Sequence, residues 1–397
     1  MLGQLPPSRV SAYGSIDLAR LLQGNPVGLR CGDGKAAAQA EVLLQKGEAI
    51  AVTIGDQRAR SFALGALGNL AECAGKWDEA LNYSQQAILA SQLADRDSLY
   101  LWEWQRGRIL KRKGDIVGAI AAYNRSIVVL EQVRLEMVQA NRDVQFDFRD
   151  TIDPIYRELI DLQLSQETTI VSSPSDTTLS KIKGNFKSNA KFNTLKSTLA
   201  TLDALKIAEL QNYFGNDCGI VIAKDRIDQR IQQDAAVLTT VIGADRTAVI
   251  VSLPNGDKHF NWINVTRSEL EKTIEDYRIG LESFDLAPQG YDTVHAQTLY
   301  NWLVRPFESS LKDVGTLVFV QDGLLRSVPM AALHDGKQFV IEKVAIATAP
   351  SLSLVNAKPI DRSNLNVLAL GLTQEAKVGK SYFQLLCDRG KDADASL

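Results

Sequence analysis

Between Val314 and Pro350 the chain reads V-G-T-L-V-F-V-Q-D-G-L-L-R-S-V-P-M-A-A-L-H-D-G-K-Q-F-V-I-E-K-V-A-I-A-T-A-P, and no other stretch restricts the fold so closely. Thr316–Val320 is apolar, rich in β-branched residues and too short for a helix, which predicts a buried strand. The strand runs into a turn at Asp322-Gly323. Leu324–Leu333 gives a short apolar segment interrupted by Pro329, His334-Asp335-Gly336 a second turn, and Phe339–Ala347 a second strand. Strand, turn, proline-bearing connection, turn and strand make a compact unit at the heart of an α/β layer.

The same residues carry a resemblance. Leu317-Val318-Phe319-Val320, Asp322-Gly323, Leu325-Arg326, Val328-Pro329-Met330-Ala331-Ala332-Leu333, Asp335-Gly336 and Ala349-Pro350-Ser351 resemble the signature of the CHAT family. These are bacterial caspase-like proteins, of the clan that includes caspases and separase, and tetratricopeptide repeats usually precede the domain. The resemblance implies a caspase-like α/β domain of cysteine-peptidase descent.

The first third is helical and repetitive. From Ser8 to Arg142 apolar residues recur at helical spacing, broken at short intervals by Gly, Asn and Asp. Leu67-Gly68, Ala71, Gly75, Trp77, Ala80, Ser84 and Ala87 superimpose on Arg106-Gly107, Leu110, Gly114, Ile116, Ala119, Tyr123 and Ser126. Gly68 and Gly107 stand 39 positions apart, against roughly 34 in a tetratricopeptide repeat, with the excess falling in Ala94–Ser98. Small residues at Gly68, Ala80 and Ala87 let paired helices approach. Both copies lack the late proline, having Gln92 and Glu131 there. Ser8–Gly24 and Lys35–Thr53 read as a degenerate earlier pair, and an unrelated helical bundle is the alternative. Stacked pairs of this kind curve into a superhelix whose concave face takes peptides or neighbouring domains. Trp102 and Trp104 are candidate ligand anchors or inter-repeat packing residues. Their alternation along one helix allows only one to face the core.

Bulk properties exclude some classes. The net charge of −3 gives no general attraction to nucleic acid or acidic membrane. No apolar run reads as long enough to span a bilayer, and the N-terminus lacks the order of a signal peptide. Cys31, Cys73, Cys218 and Cys387 lie far apart with no C-x-x-C pair, so reduced thiols are expected in place of a disulfide framework or zinc site. Cytoplasmic placement follows as an expectation.

Asp143–Arg149 and Pro154–Leu159 resemble the segment that joins repeats to the caspase-like domain. Ser165–Lys196 then begins as a Ser/Thr linker and continues with Lys181, Lys183, Lys187, Lys191 and Lys196 around Phe186 and Phe192. That mix imitates a nucleic-acid surface, but the overall charge favours a solvated linker.

The last half is α/β. Leu202–Phe214 predicts a helix, and Ala235–Ile242, Thr247–Leu253 and Lys258–Val265 predict strands, with Asn255-Gly256 in a turn. Arg267–Leu281 and Thr293–Leu311 predict amphipathic helices. A short helix near Ser351–Asn356 and a last strand at Asn366–Leu370 follow the opening stretch. The order predicts a largely parallel sheet with an antiparallel portion early on.

Caspase-like chemistry needs a thiolate and a histidine together at the ends of adjacent strands. The family places a His-Gly pair and an Ala-Cys pair there, and neither is found. His259 falls in the early meander, His295 at a helix start and His334 in a turn. Cys387 follows an apolar run without a matching histidine, and Cys218 with His295 is a weaker alternative. Gly371…Gly379-Lys380-Ser381 imitates a phosphate loop, but Gln374 stands where the first glycine belongs. Leu372–Leu397 reads as leaving the family pattern, like an abrupt or frame-shifted end.

The expected architecture is therefore α+β multidomain: tetratricopeptide-like repeats over 1–142, connector and linker over 143–200, and an incomplete CHAT domain over 201–397. No catalytic, cofactor or metal residue is assigned. The expected function is a protein-interaction module derived from a peptidase, with a protein or peptide partner on the concave face of the repeats. Nucleic acid and membrane are not expected partners, and self-association is expected through an open sheet edge. The alternative is an active caspase-like endopeptidase regulated by its repeats.

Overall fold

A computed structural model describes residues 6–24, 31, 34–94, 96–140, 151–171, 180–214, 226–229, 234–243, 245–282 and 293–354. The chain divides into two compact units, Met1–Gln166 and Glu167–Leu397.

The first unit is built of helix pairs: α1 (Arg9–Leu22) with α2 (Ala37–Ile54), α3 (Gln57–Cys73) with α4 (Trp77–Gln92), and α5 (Leu99–Arg112) with α6 (Ile116–Ala140). Local chemistry sets the boundaries. Ser8 caps α1, and the Asp56 carboxylate caps α3 through the Ala59 N–H. Left-handed Gly55, Gly75 and Gly114 close α2, α3 and α5. The two glycines that aligned the repeats mark close approaches. A Cβ on Gly107 would lie 2.8 Å from the Tyr123 ring, and one on Gly68 2.3 Å from the Gln105 amide.

Trp102 and Trp104 are both buried, at 1% and 3% exposure, which corrects the expectation that only one could face inward. Helix α5 is sandwiched, so opposite faces both find cover. Trp102 donates to Ser61 Oγ at 2.7 Å and lies against Gly65. Trp104 donates to Glu158 at 2.7 Å on α7 (Asp153–Val171). Helix α7 is therefore tied to the repeats through a residue of the expected connector.

Ile116–Val133 of α6 is long and apolar enough, by length and composition, to cross a membrane, contrary to the reading of the sequence. In the structure Ala119, Ala122, Tyr123, Ser126, Leu130 and Val133 form its buried stripe.

The cysteine expectation is corrected as well. Cys31, between α1 and α2, forms a disulfide with Cys73 at the end of α3, with Cα atoms 5.4 Å apart. The chain path brings together two positions that sequence spacing gave no reason to join. Cys218 and Cys387 lie outside the described residues.

The second unit begins with α8 (Ser180–Phe214), which extends the expected Leu202–Phe214 helix back through the stretch read as linker. Leu195, Leu199, Leu202 and Leu205 recur at helical spacing and are buried, while Lys196 is exposed. A five-stranded sheet follows in the order β3-β2-β1-β4-β5. Its strands are β1 (Ala235–Ile242), β2 (Thr247–Ser252), β3 (Lys258–Ile263), β4 (Thr316–Val320) and β5 (Ala345–Thr348). β1 to β3 form the expected antiparallel meander, and β1–β4 and β4–β5 pair in parallel. Helices α9 (Arg267–Glu282) and α10 (Val294–Leu303) bury Leu270, Ile274, Tyr277, Leu299 and Leu303 in the core that holds Leu238, Val249 and Phe319.

Two boundaries differ from expectation. The helix expected over Thr293–Leu311 ends at Leu303 and tightens into a 3-10 segment, Arg305–Ser310, where Pro306 removes a backbone donor. The strand expected over Phe339–Ala347 begins only at Ala345. Before it the Glu342 carboxylate accepts the Phe339 N–H at 2.6 Å and closes the short helix α11 (Val340–Lys343). The expected strand Asn366–Leu370 lies outside the described residues, and the helix expected near Ser351–Asn356 is corrected over its described part, where residues 351–354 run as bends.

Candidate functional site

Each of the two units holds a candidate site. In the second unit it is the carboxyl ends of the parallel strands, where open α/β sheets bind their ligands. Asp322, of the Asp-Gly turn after β4, is fully buried. One of its carboxylate oxygens accepts from Lys206 Nζ of α8, and the other accepts the Ile242 N–H of β1 at 2.8 Å. Its own N–H donates to Thr240 Oγ1 at 2.9 Å. One turn earlier on α8, Asp203 accepts the Leu352 and Ser353 N–H groups at 2.8 and 3.1 Å, and the Ser353 hydroxyl. One turn later, Glu209 pairs with Arg326. Asp203, Lys206 and Glu209 thus form a polar stripe on an apolar helix, gripping the turn after β4 and the turn after β5. Sequence reasoning passed over this stripe. Its signal was the three-residue spacing of charges within D-A-L-K-I-A-E.

Beside this stripe is a cavity of about 590 Å³ lined by Arg278, Glu282, Gln321, Arg326, Met330 and Thr348, among others. The Gln321 amide donates to the Leu325 and Val328 carbonyls at 2.6 and 3.1 Å, which holds the proline-bearing connection in place. Arg278 pairs here with Glu282, Arg326 with Glu209, and the Ser327 hydroxyl donates to the Leu324 carbonyl at 2.8 Å.

The sequence candidates do not converge there. His259 is exposed on β3, and His295 opens α10. His334 accepts the Gly336 N–H at 3.0 Å through Nδ1 and meets the Phe339 ring edge to face. Nearby, Asp335 accepts from Lys343 at 2.7 Å. Burial opposes ionisation of Asp335, but hydrogen bonds from Lys343 and the Gln338 and Lys337 N–H groups outweigh it and hold the carboxyl below its ordinary range. Tyr300 is pushed up to about 12 by burial and by its hydrogen bond to Glu308. Among the described residues no group of three His, Cys, Asp or Glu side chains could hold a metal. Cys218, Cys387 and Gly371…Gly379-Lys380-Ser381 lie outside the described residues.

In the first unit α3 touches both α1 and α5, and α1 and α3 carry Tyr13, Arg20, Arg58 and Phe62, each part-exposed. A polar network joins α3, α5, α6 and α7. Arg108 forms a two-pronged bridge to Glu72 at 2.8 Å and lies over the Trp104 ring. Glu158 accepts from both Trp104 and Tyr123 at 2.7 Å. Burial and the Glu158 charge push the Tyr123 phenol far above its ordinary range, so it stays a donor.

Comparison with known proteins gives a match to the CHAT domain over residues 293–387, spanning Leu317–Ser351, on which the resemblance was read. The match also covers Leu372–Cys387, which corrects the reading that the family pattern stops at Leu372. No curated protein matches the chain. Among solved structures, a Podosopora anserina kinesin light chain with nearly identical TPR-like repeats covers 52% of this chain and 97% of its own. It is 12% identical with a TM-score of 0.27, a likeness too slight to carry an argument.

Proposed function

We propose that this chain, helical repeats of the tetratricopeptide type leading into a CHAT domain, works as a protein-interaction module: the repeats hold a peptide or protein partner, and the CHAT portion serves as a scaffold. The observation that carries the reading is the row of part-exposed Tyr13, Arg58 and Phe62 on helices α1 and α3 that lie side by side. Stacked helix pairs offer such a surface because each pair contacts only its neighbours and leaves one face continuous. The scaffold role draws support from Asp322, whose carboxylate is occupied on both oxygens by internal partners.

A second reading, a cysteine endopeptidase regulated by the repeats, draws on the family match, whose span reaches Cys387. Labelling the full chain with a peptidyl acyloxymethyl ketone separates the two. The interaction reading expects no labelling, alongside saturable binding to a peptide array. Labelling abolished by Cys387→Ala or Cys218→Ala would instead establish the peptidase.

A further inference from the structure

Cys31 and Cys73, joined by the disulfide, are both exposed. Thiol–disulfide exchange is governed by access to the sulfurs, so a bond laid on the surface is open to an incoming thiolate while the chain stays folded. Among the described residues no free cysteine competes for it.

What the bond holds is thinly docked. Cys73 ends α3 and Cys31 stands between α1 and α2, so the bond ties the first helix pair to the second. Helix α1 buries Ser11, Ala12, Ser15, Ile16 and Ala19, of which only Ile16 is a large apolar side chain. Helix α5, by contrast, buries Tyr100, Trp102, Trp104, Ile109 and Leu110. Ala12 shares a cluster with Ala51 and Ala59, and Ala19 shares one with Ala40, Ala63 and Ala66. Apolar stabilisation scales with the area removed from water, so α1 is held more weakly than the helices behind it. On its other side Val10, Leu18 and Leu21 are exposed, which leaves α1 clamped from one side only. Its polar ties add little. Arg9 pairs with Asp56 at 2.7 Å, but the arginine side chain is 76% exposed and solvent screens the pair. Arg58 Nη1 donates to the Tyr13 hydroxyl at 3.3 Å, beyond the usual range for such a bond. A segment with few buried apolar contacts opens at lower cost than the rest of its domain, and a covalent tether limits that opening.

We propose that the Cys31–Cys73 bond is a reversible thiol–disulfide switch that sets the order of the first helix pair, with a dithiol as its reductant. One thiolate of the dithiol attacks a sulfur of the pair, forming a mixed disulfide and releasing the other cysteine as a thiolate, which takes up a proton. The second thiol of the dithiol then loses its proton and displaces the remaining cysteine, which is protonated in turn. The chain has gained two electrons and two protons as two thiols, and the dithiol leaves as its own disulfide. Oxidised, the first pair is pinned to the end of α3. Reduced, α1 parts from α3 while α5 and α6 stay folded, which uncovers Ala63, Ala66 and Leu67. The switch operates whatever the repeats bind.

Two measurements on the full chain, oxidised at this bond, test it. In the first, dithiothreitol is added to native and to guanidinium-unfolded protein, and reduction is timed by alkylation and peptide mapping of Cys31 and Cys73. The native bond should open no more than about tenfold more slowly than the unfolded one. A larger gap means that the bond opens only with the whole chain, and overturns the switch. So does a chain in which the bond cannot be formed. In the second, hydrogen exchange followed by mass spectrometry compares the oxidised chain, the reduced chain, and the reduced chain treated with oxidised glutathione. Amides of α1 should exchange about tenfold or more faster after reduction, those of α5 should not change, and reoxidation should restore protection. The double variant Cys31→Ser, Cys73→Ser should match the reduced chain without reductant, which separates this bond from any effect of dithiothreitol on Cys218 or Cys387. A smaller change in α1, a matching loss in α5, failure to recover, or a double variant as protected as the oxidised chain overturns the proposal.

Discussion

Lys206 and Asp322, 116 positions apart, meet as a buried ion pair with side chains 1% and 0% exposed. The pair joins α8 to the turn that follows β4, and the Ile242 N–H completes the carboxylate's coordination. Breaking one side strands the other charge in a medium that solvates it poorly. Lys206→Met should therefore lower unfolding free energy by about 3–5 kcal/mol. Lys206→Met combined with Asp322→Leu should cost less than the sum of the two single changes, as read by urea denaturation. Additive costs would mean that the two side chains do not act as a pair.

Gly65 of α3 makes room for the Trp102 ring of α5. A Cβ there would sit 2.2 Å from the Trp102 ring, which is itself held by Ser61. The ring cannot swing away, so Gly65→Ala should destabilise by about 1–3 kcal/mol. Gly118→Ala is the control, because the nearest atom, Asp115 Oδ2 at 2.3 Å, ends a side chain free to turn. Alanine's better helix propensity then offsets the weakened Asp115 cap on the Gly118 N–H, and the net change should stay within about 1 kcal/mol. Thermal melts of the two variants would tell them apart.

These two predictions also mark what the sequence made legible. The repeats could be read because Gly68 and Gly107 recur where a partner helix presses in, a local demand that leaves a local trace. The strands of the α/β unit were readable for the same reason, since β-branched runs and Asp-Gly or Asn-Gly turns announce themselves over a few residues. Harder to read was anything decided by distant partners. The burial of both Trp102 and Trp104 depends on helices on either side of α5, and the grip of Asp203 and Lys206 depends on turns more than a hundred positions away. The lysine-rich stretch before Leu202 looked like linker because its charges hid the leucine spacing that continues α8. β5 starts late because the Glu342 cap competes with an extended backbone, a contest invisible in β-propensity alone. Of the candidate sites, the histidines could be placed, whereas the Arg20–Phe62–Arg58 cluster depends on two helices meeting.

The disulfide between Cys31 and Cys73 closes a loop of 42 positions. On the chain-entropy account a loop of that size stabilises by about 4 kcal/mol. Peptide mapping without reductant should recover the two cysteines as one linked species. Dithiothreitol, or Cys73→Ser, should lower the melting temperature of the first unit. An equal melting temperature with and without reductant would mean that the bond does not form in solution, as in a reducing compartment.

The pair of Asp335 and Lys343 gives a pH dependence with a defined sign. Asp335 has its pKa lowered in the folded chain, so its contribution is present above the unfolded carboxylate value, about 4, and is lost as pH falls through the lower folded value. Lys343 has its pKa raised, chiefly by its hydrogen bond to Asp335, so its contribution is complete below the unfolded value, about 10.4, and is lost as pH rises through the higher folded one. The stabilisation from the pair is therefore flat across roughly pH 5–9 and falls away at both ends. Because Lys343 is about one-third exposed (34%), solvent screens the pair and its worth is on the order of 1 kcal/mol. Asp335→Asn should lose that amount at pH 7, and the gap to the parent chain should narrow as the medium is acidified below pH 4. The test is chemical denaturation of parent and variant at matched pH values. A gap that stays constant down to pH 2 would show that Asp335 acts through its backbone turn, where its Oδ1 accepts from Lys337 and Gln338 and asparagine could substitute only in part.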